Sequence, residues 1–227
     1  MYELGVVNTT IQRPDPEDVA ALSDYGTATV HEAMGRIGLM RPYMRPVYDG
    51  AKLCGPAVTV LLQPGDNWML HVAAEQIQDG DVVVAGCAAP SHAGFFGDLL
   101  ATSFRARGSV GLVIDGGVRD IADLEAMDFP VFAAAIHARG TVKATLGSVN
   151  IPVTVANAHV NPGDVVVGDA DGVVVVPADR VAEVVAASRA REAKEATVRA
   201  RLAAGELGLD VYNMREKLEA AGLHYND

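Results

Sequence analysis

The amino-acid sequence predicts an α/β domain on a mixed sheet, with a projecting C-terminal helical arm. Three observations carry that prediction. Short β-branched runs alternate with helical patterns up to about residue 178, the last two runs are joined only by the turn "GDADG", and from Asp179 the chain becomes rich in Ala, Glu and Arg. Alternating strands and helices imply crossovers between parallel strands, whereas a tight turn implies an antiparallel hairpin, so the sheet combines both.

Two helical patterns come first, "DPEDVAALSDY" (15–25) and "GTATVHEAMG" (26–35). Strand "PAVTVLL" (56–62) precedes helix "NWMLHVAAEQIQ" (67–78), and strand "DVVVAG" (81–86) precedes helix "FGDLLATSFRARG" (96–108). Strand "VGLVI" (110–114) leads through Gly116–Gly117, read as a turn, to helix "IADLEAM" (121–127). Strands "PVFAAA" (130–135), "PVTVA" (152–156), "DVVVGD" (164–169) and "GVVVVP" (172–177) complete the domain. Each strand is a β-branched run bounded by Gly, Pro or Asp. The stretch "DRVAEVVAASRAREAKEATVRARLAAGELG" reads as one long helix from Asp179 to about Ala204, stopped by Gly205, with a single short helix in "DVYNMREKLEAAG" after it. Its second half is too polar to be buried in its own core and is expected to pack on a neighbouring subunit. The expected division is an α/β domain at 1–178 and an arm at 179–227.

Composition narrows the function. Half of the 227 residues are hydrophobic and 21% are charged, as in an ordinary soluble protein. The formal net charge is −11, and up to Ala178 there are 10 Lys and Arg against 20 Asp and Glu. An acidic body repels phosphate backbones, so no nucleic-acid partner is expected, and an anionic substrate needs local cations or a metal. The two cysteines, Cys54 and Cys87, are too few for a zinc or disulfide framework and read as reduced core thiols. No leader pattern and no apolar run near the ~20 residues of a membrane span is visible, so the expectation is a cytoplasmic protein without a membrane partner.

The chemistry-bearing stretch is "GDLLATSFRARGSVGLVIDGGVRD" (97–120). Asp120, with Asp123 three residues on, fits a helix N-cap; it equally offers a carboxylate to a hard divalent cation, with the Arg119 guanidinium beside it for an oxyanion. Loops at the carboxyl ends of strands are where α/β folds place ligands. Gly97 through Leu100 form a helix start whose free N–H groups suit a carboxylate or phosphate. Asp98 there is either a first-turn acid favouring the helix dipole or part of a site. Asn67, His71 and Glu75 fall at i+4 spacing on one predicted helical face, a weak metal pattern lacking a third ligand. Asn67 is expected to face the site, with His71 assisting or simply packing; Glu32, beside His31, could face a cleft. Glu195 pairs naturally with Arg191 or Arg199, four residues away. Of four lysines, Lys52, Lys143, Lys194 and Lys217, none has the apolar surroundings of a Schiff-base residue.

With these residues in view, the chain resembles the metal-dependent pyruvate aldolases that cleave 4-hydroxy-4-methyl-2-oxoglutarate and 4-carboxy-4-hydroxy-2-oxoadipate. That superfamily also contains the regulator of ribonuclease activity A. The likeness runs through "DYGTATVHEAMG", "GPAVTV", "PGDNWMLHVA", "GFFGDLLA", "GLVIDGGVRD", "PGDVVVGDADGVVVVP" and "RLAAGELGLDVYNMR", and its specific part is Asp98, twenty intervening residues, then Arg119–Asp120. The regulator branch lacks both the acid after the Arg and the long C-terminal helix.

The resemblance implies a compact, swivelling-domain-like α/β sandwich assembled as a homotrimer or homohexamer. It implies Asp120 as the protein ligand of Mg²⁺ or Mn²⁺, and Arg119 on the 2-oxo group and developing enolate. The amides of Leu99 and Leu100 would hold the substrate carboxylate, in a pocket formed by Gly97–Leu100. Asp98 would move protons through water, and Glu195 would contribute from a neighbouring subunit. Glu32 and Asn67 match positions near the pocket. The implied reaction is retro-aldol cleavage to pyruvate and a second 2-oxo acid, with oxaloacetate decarboxylation as a side activity. A non-catalytic regulator binding a ribonuclease is the alternative.

Overall fold

The computed structural model describes residues 4–226. Two short helices open it, α1 (Pro16–Leu22) and α2 (Thr27–Ala33), followed by β1 (Arg45–Pro46), β2 (Leu53–Leu62) and α3 (Trp68–Ala73). Next come β3 (Val82–Cys87), β4 (Gly94–Phe96), α4 (Asp98–Ala106), β5 (Gly111–Val118), α5 (Ile121–Ala126) and β6 (Val131–Ile136). Then follow β7 (Ser148–Val149), β8 (Val153–Val155), β9 (Ala158–Val160), β10 (Val165–Asp169) and β11 (Gly172–Val176). A 3-10 turn (Ala178–Arg180) leads into α6 (Val181–Ala203), α7 (Gly208–Val211) and α8 (Arg215–Ala220).

The sheet is mixed, as expected. Strands run in the order β1-β6-β5-β3-β2-β10-β11, with β4 on β5 and β7 on β2. Strands β2, β3, β5 and β6 are mutually parallel, and β10–β11 is the antiparallel hairpin read from "GDADG". The chain before β1 nearly closes the sheet. Gly38 and Met40 bond to the outer edge of β11, and a few residues later Arg45 pairs with Ala133 at the β6 edge. Both edges are thereby covered by the same segment.

Alternating side chains sort into three cores, as period-2 geometry requires. Ala57, Leu61, Val82, Val84, Val113, Phe132, Val166, Val173 and Val175 fill the inside of the curved sheet. Val58, Val60, Val83, Ala85, Leu112, Ile114 and Val131 face outward under α3, α4 and α5. Val165, Val167, Val174 and Val176 face outward under α1, α2 and the start of α6. The parallel strands read as unbroken apolar runs because both of their faces are covered.

The N-terminal segment is fastened by a buried ion pair. Arg13 donates twice to the Asp81 carboxylate, at 2.7 Å each, and Asp81 is fully buried and also accepts the Gln78 N–H. Removing one partner would strand a charge in the core. Arg13→Ala should therefore lower unfolding free energy by about 3 kcal/mol, read from the midpoint of chemical denaturation. A loss below about 1 kcal/mol would show that water reaches Asp81.

In α6, Val181, Val184, Val185 and Ser188 are buried against this chain's own body, and no later residue of the helix is buried. The region expected as one short helix is two, α7 and α8, because Asn213 adopts φ 52° and breaks the run. Cys54 and Cys87 are both free thiols, and burial pushes the Cys54 thiol up to about 12. No helix among the described residues is long and apolar enough to cross a membrane.

Candidate active site

Strand β5 does not end at Ile114, as its apolar run suggested. It continues through Asp115, Gly116 and Gly117 to Val118, pairing with β6 and shifting register on the way. The two glycines are therefore buried strand, not a turn that lets a ligand near the backbone. Their missing side chains serve packing: a Cβ on Gly117 would lie 2.3 Å from the His92 carbonyl and 2.7 Å from that of Ala93. This close approach lets β4 lie along β5, and Arg119 N–H bonds to Phe96 O at 2.9 Å. Arg119 and Asp120 thus sit at the carboxyl end of a central parallel strand, beside the turn from β4 into α4.

Asp120 occupies the N-cap position of α5, yet its side chain makes no capping hydrogen bond. The expected cap role fails because its backbone is left-handed, with φ 59° and ψ 40°, which turns the carboxylate away from the helix. It projects instead toward Gly97, where a Cβ would lie 2.1 Å from Asp120 Oδ2. Gly97 is extended, so close approach alone demands glycine there. Arg119 Nε lies 3.4 Å from Asp120 Oδ2, and both side chains are partly exposed.

Facing this pair is the start of α4. Gly97 gives no side-chain cap, and the first helical N–H bond runs from Ala101 to Gly97 O. The amides of the first turn, at Asp98, Leu99 and Leu100, are those a helix leaves without intrahelical partners. Leu100, Ala101 and Phe104 anchor the helix in the core, while Leu99 stays 78% exposed at the mouth.

One cavity of about 100 Å³ collects these groups: Gly97, Asp98, Leu99, Leu100, Arg119, Asp120 and Asn67 line it, with His71 and Lys143. Asn67 is buried and donates to Phe95 O at 2.8 Å, while its Oδ1 has no hydrogen-bond partner. Burial, aided by the Lys143 charge, lowers the affinity of His71 for a second proton. Glu75 lies beyond the end of α3, which stops at Ala73, so the predicted Asn67–His71–Glu75 face does not form. Among the described residues no three His, Cys, Asp or Glu side chains gather to cage a metal.

Glu32 and Glu195 lie elsewhere in the chain. Arg191 bridges them, at 3.5 Å to Glu32 and 2.9 Å to Glu195, on the surface formed by α2 and α6. Gly94, Phe95, Phe96 and Lys143 also line the cavity and were not expected there, and Lys143 is the charged one among them. Its loop is brought to the site by buried Asp66, which accepts N–H bonds from Trp68, Ala144 and Thr145, and no local pattern announces contacts nearly eighty residues apart.

An α/β fold that gathers a carboxylate released from helix capping, a guanidinium and unpaired helix amides at the ends of parallel strands has the anatomy of a small-anion site. Residues 27–175 match the family described as RraA-like, Aldolase/RraA. The chain belongs to that family. It is 28% identical over 169 residues to a Halalkalibacterium halodurans protein named "Putative 4-hydroxy-4-methyl-2-oxoglutarate aldolase", covering 74% of this chain and 80% of that one. A Burkholderia multivorans protein of the same name is 34% identical over 143 residues, covering 63% and 87%. The solved structure of Streptomyces coelicolor RraAS2, described as an unusual member of the RNase ES inhibitor RraA protein family, superposes with a TM-score of 0.75 at 29% identity, over 84% of this chain and 99% of that one.

Proposed function

We propose that this cavity performs divalent-metal-dependent retro-aldol cleavage of a 4-hydroxy-2-oxo acid that carries one or two further carboxylates, releasing pyruvate and a second 2-oxo acid. The substrates that fit the reading are 4-hydroxy-4-methyl-2-oxoglutarate and 4-carboxy-4-hydroxy-2-oxoadipate. One observation carries it: the Asp120 carboxylate is released from helix capping and set beside Arg119, across Gly97 from the open end of α4. The names of the Halalkalibacterium and Burkholderia relatives support the same reading.

The donor set suits a hard ion. The oxygen donors around the cavity are the Asp120 and Asp98 carboxylates and the unpartnered Oδ1 of Asn67. Mg²⁺ or Mn²⁺, binding through one or two carboxylates and completing its shell with water and substrate oxygens, fits such a site; a closed zinc site does not. Bound there, held by Asp120, the ion supplies Lewis-acid polarisation of the 2-oxo group.

The chain's own residues do the rest. The amides at Leu99 and Leu100 hold the substrate's 1-carboxylate at the positive end of α4. Arg119 donates to the 2-oxo oxygen. As the C4 hydroxyl loses its proton, the C3–C4 bond breaks, its electron pair moves to the 2-oxo oxygen as enolate, and C3 then takes up a proton to give pyruvate. Arg119 stabilises that developing charge. Asp98, in the first turn of α4, carries protons to and from the reacting atoms through water. Loss of CO₂ from oxaloacetate leaves the same enolate, so decarboxylation accompanies cleavage.

Within one chain Glu195 lies off the cavity, so in this reading Glu195 of the partner subunit completes the site in a homotrimer or homohexamer. The exposed apolar residues Leu202, Leu207, Tyr212 and Met214 on the arm favour such packing. The likeness to RraAS2 favours a second reading, a non-catalytic regulator of a ribonuclease. A lactate dehydrogenase-coupled assay separates the two. Pyruvate release from both aldol substrates and from oxaloacetate, abolished by EDTA and restored by Mg²⁺ or Mn²⁺, is expected; no release under any metal supply rejects the aldolase. Gly97→Ala supplies a finer check. Its methyl would drive the Asp120 carboxylate aside, and a misplacement near 1 Å should lower kcat by about 100-fold. Unchanged kcat in that variant would separate Asp120 from the reaction.

A further inference from the structure

We propose that Lys143 recognises the distal carboxylate of the substrate and makes the site selective for dicarboxylic over monocarboxylic 2-oxo acids. The inference rests on the aldolase reading and extends it to a residue that reading does not employ. Lys143 and Arg119 are the two cationic side chains lining the cavity. Arg119 is engaged next to Asp120. Among the described residues, Lys143 has no carboxylate within ion-pair distance.

The backbone around Lys143 is held far more firmly than a surface loop requires. Val142 N–H bonds to Gly65 O, and Asn67 N–H bonds to Val142 O. Asp66, only 3% exposed, accepts the amides of Ala144 at 2.6 Å and Thr145 at 2.7 Å. Burial raises the Asp66 carboxyl, but these bonds, the one from Trp68 N–H and the nearby Lys143 charge together hold it below its ordinary range. Residues on both sides of Lys143 are thus pinned to the start of α3, the element that also positions Asn67 and His71. A long flexible lysine is set at the cavity from a fixed base; its charge is felt by Asp66 and His71, but among the described residues it closes no ion pair.

The substrate chemistry asks for such a group. A 4-hydroxy-2-oxo dicarboxylate brings two negative carboxylates into a cavity already holding Asp98 and Asp120. The α4 amides answer one of them. In that reading Asp120 and its ion, with Arg119, serve the 2-oxo group, so the other carboxylate, on the half that departs, has Lys143 as the remaining cationic side chain lining the cavity.

The test compares Lys143→Met, which keeps the apolar stem, with Lys143→Arg, which keeps the charge; neither alters the backbone bonds that pin the loop. Wild type and both variants are assayed with 4-hydroxy-4-methyl-2-oxoglutarate and with 4-hydroxy-2-oxopentanoate, which has the same reacting core but lacks the distal carboxylate. Lys143→Met should raise KM for the dicarboxylate roughly 10- to 100-fold and move KM for the monocarboxylate less than about three-fold, as loss of one charged hydrogen bond predicts. Lys143→Arg should restore most of the preference. Equal changes for both substrates, or none for either, would overturn the proposal. Calorimetry with 2-oxoglutarate and with pyruvate, in the presence of Mg²⁺, keeps the two readings apart. If wild type cleaves nothing but binds 2-oxoglutarate with an affinity that Lys143→Met lowers selectively, the aldolase reading falls and the dicarboxylate site stands. If 2-oxoglutarate binding ignores the substitution, Lys143 has no such role.

Discussion

Asp120→Asn should remove metal activation almost completely while leaving the protein folded. Asparagine is the informative substitution for a backbone reason. Position 120 sits at φ 59°, ψ 40°, where Asn is tolerated and Ala costs roughly 1 kcal/mol. Because the Asp120 side chain caps nothing in α5, exchanging one carboxylate oxygen for an amide removes no helix-capping bond. On the proposed reading the loss therefore falls on the ion. Lewis-acid stabilisation is worth several kcal/mol in the transition state, so kcat/KM for pyruvate release should drop by about 1,000-fold or more at fixed Mg²⁺. Isothermal titration with Mn²⁺ should show the matching loss of ion binding. A variant that still released pyruvate within about ten-fold of wild type, with EDTA sensitivity intact, would move the ion to another ligand.

The expectations that held were those encoded locally. The β-branched runs became strands, "GDADG" became a hairpin turn, and α4 began at Asp98, inside the Gly97–Leu100 helix start read from the sequence. The 97–120 stretch also delivered most of the cavity, because β4, α4 and β5 are consecutive and β4 lies directly on β5. What failed depended on partners distant in sequence. Gly116–Gly117 reads as a turn until Ser91–Phe95 is known to press against it. Glu75 reads as helical until α3 is seen to stop at Ala73. The Asp120 cap follows from residue type alone, and only the left-handed backbone, next to a Gly97 without a side chain, shows the carboxylate turned elsewhere. Lys143 reaches the site through Asp66, a link that exists only after folding.

Arg119→Ala is expected to give the second large effect, which on the proposed reading bears on the reaction rather than on the ion. Arg119→Lys keeps a positive charge at the end of β5 but loses the planar fork that can donate to the 2-oxo oxygen while lying beside Asp120. Arg119→Ala loses both. If the guanidinium stabilises the enolate, its removal should lower kcat by about 100- to 1,000-fold, the usual scale for one pre-set donor aimed at developing charge. The lysine variant should recover only a fraction of that. The decisive comparison is between reactions. Aldol cleavage and oxaloacetate decarboxylation break different bonds but leave the same pyruvate enolate, so both should fall by similar factors in each variant. KM should move less than kcat, because an interaction strengthened only in the transition state contributes little to ground-state binding. With the side chain 47% exposed, the fold should survive either change, and thermal unfolding midpoints near wild type would confirm that the loss is chemical. A variant that lost aldol cleavage yet retained decarboxylation would place Arg119 on the departing half of the substrate, on the same side as Lys143, and take it away from the enolate.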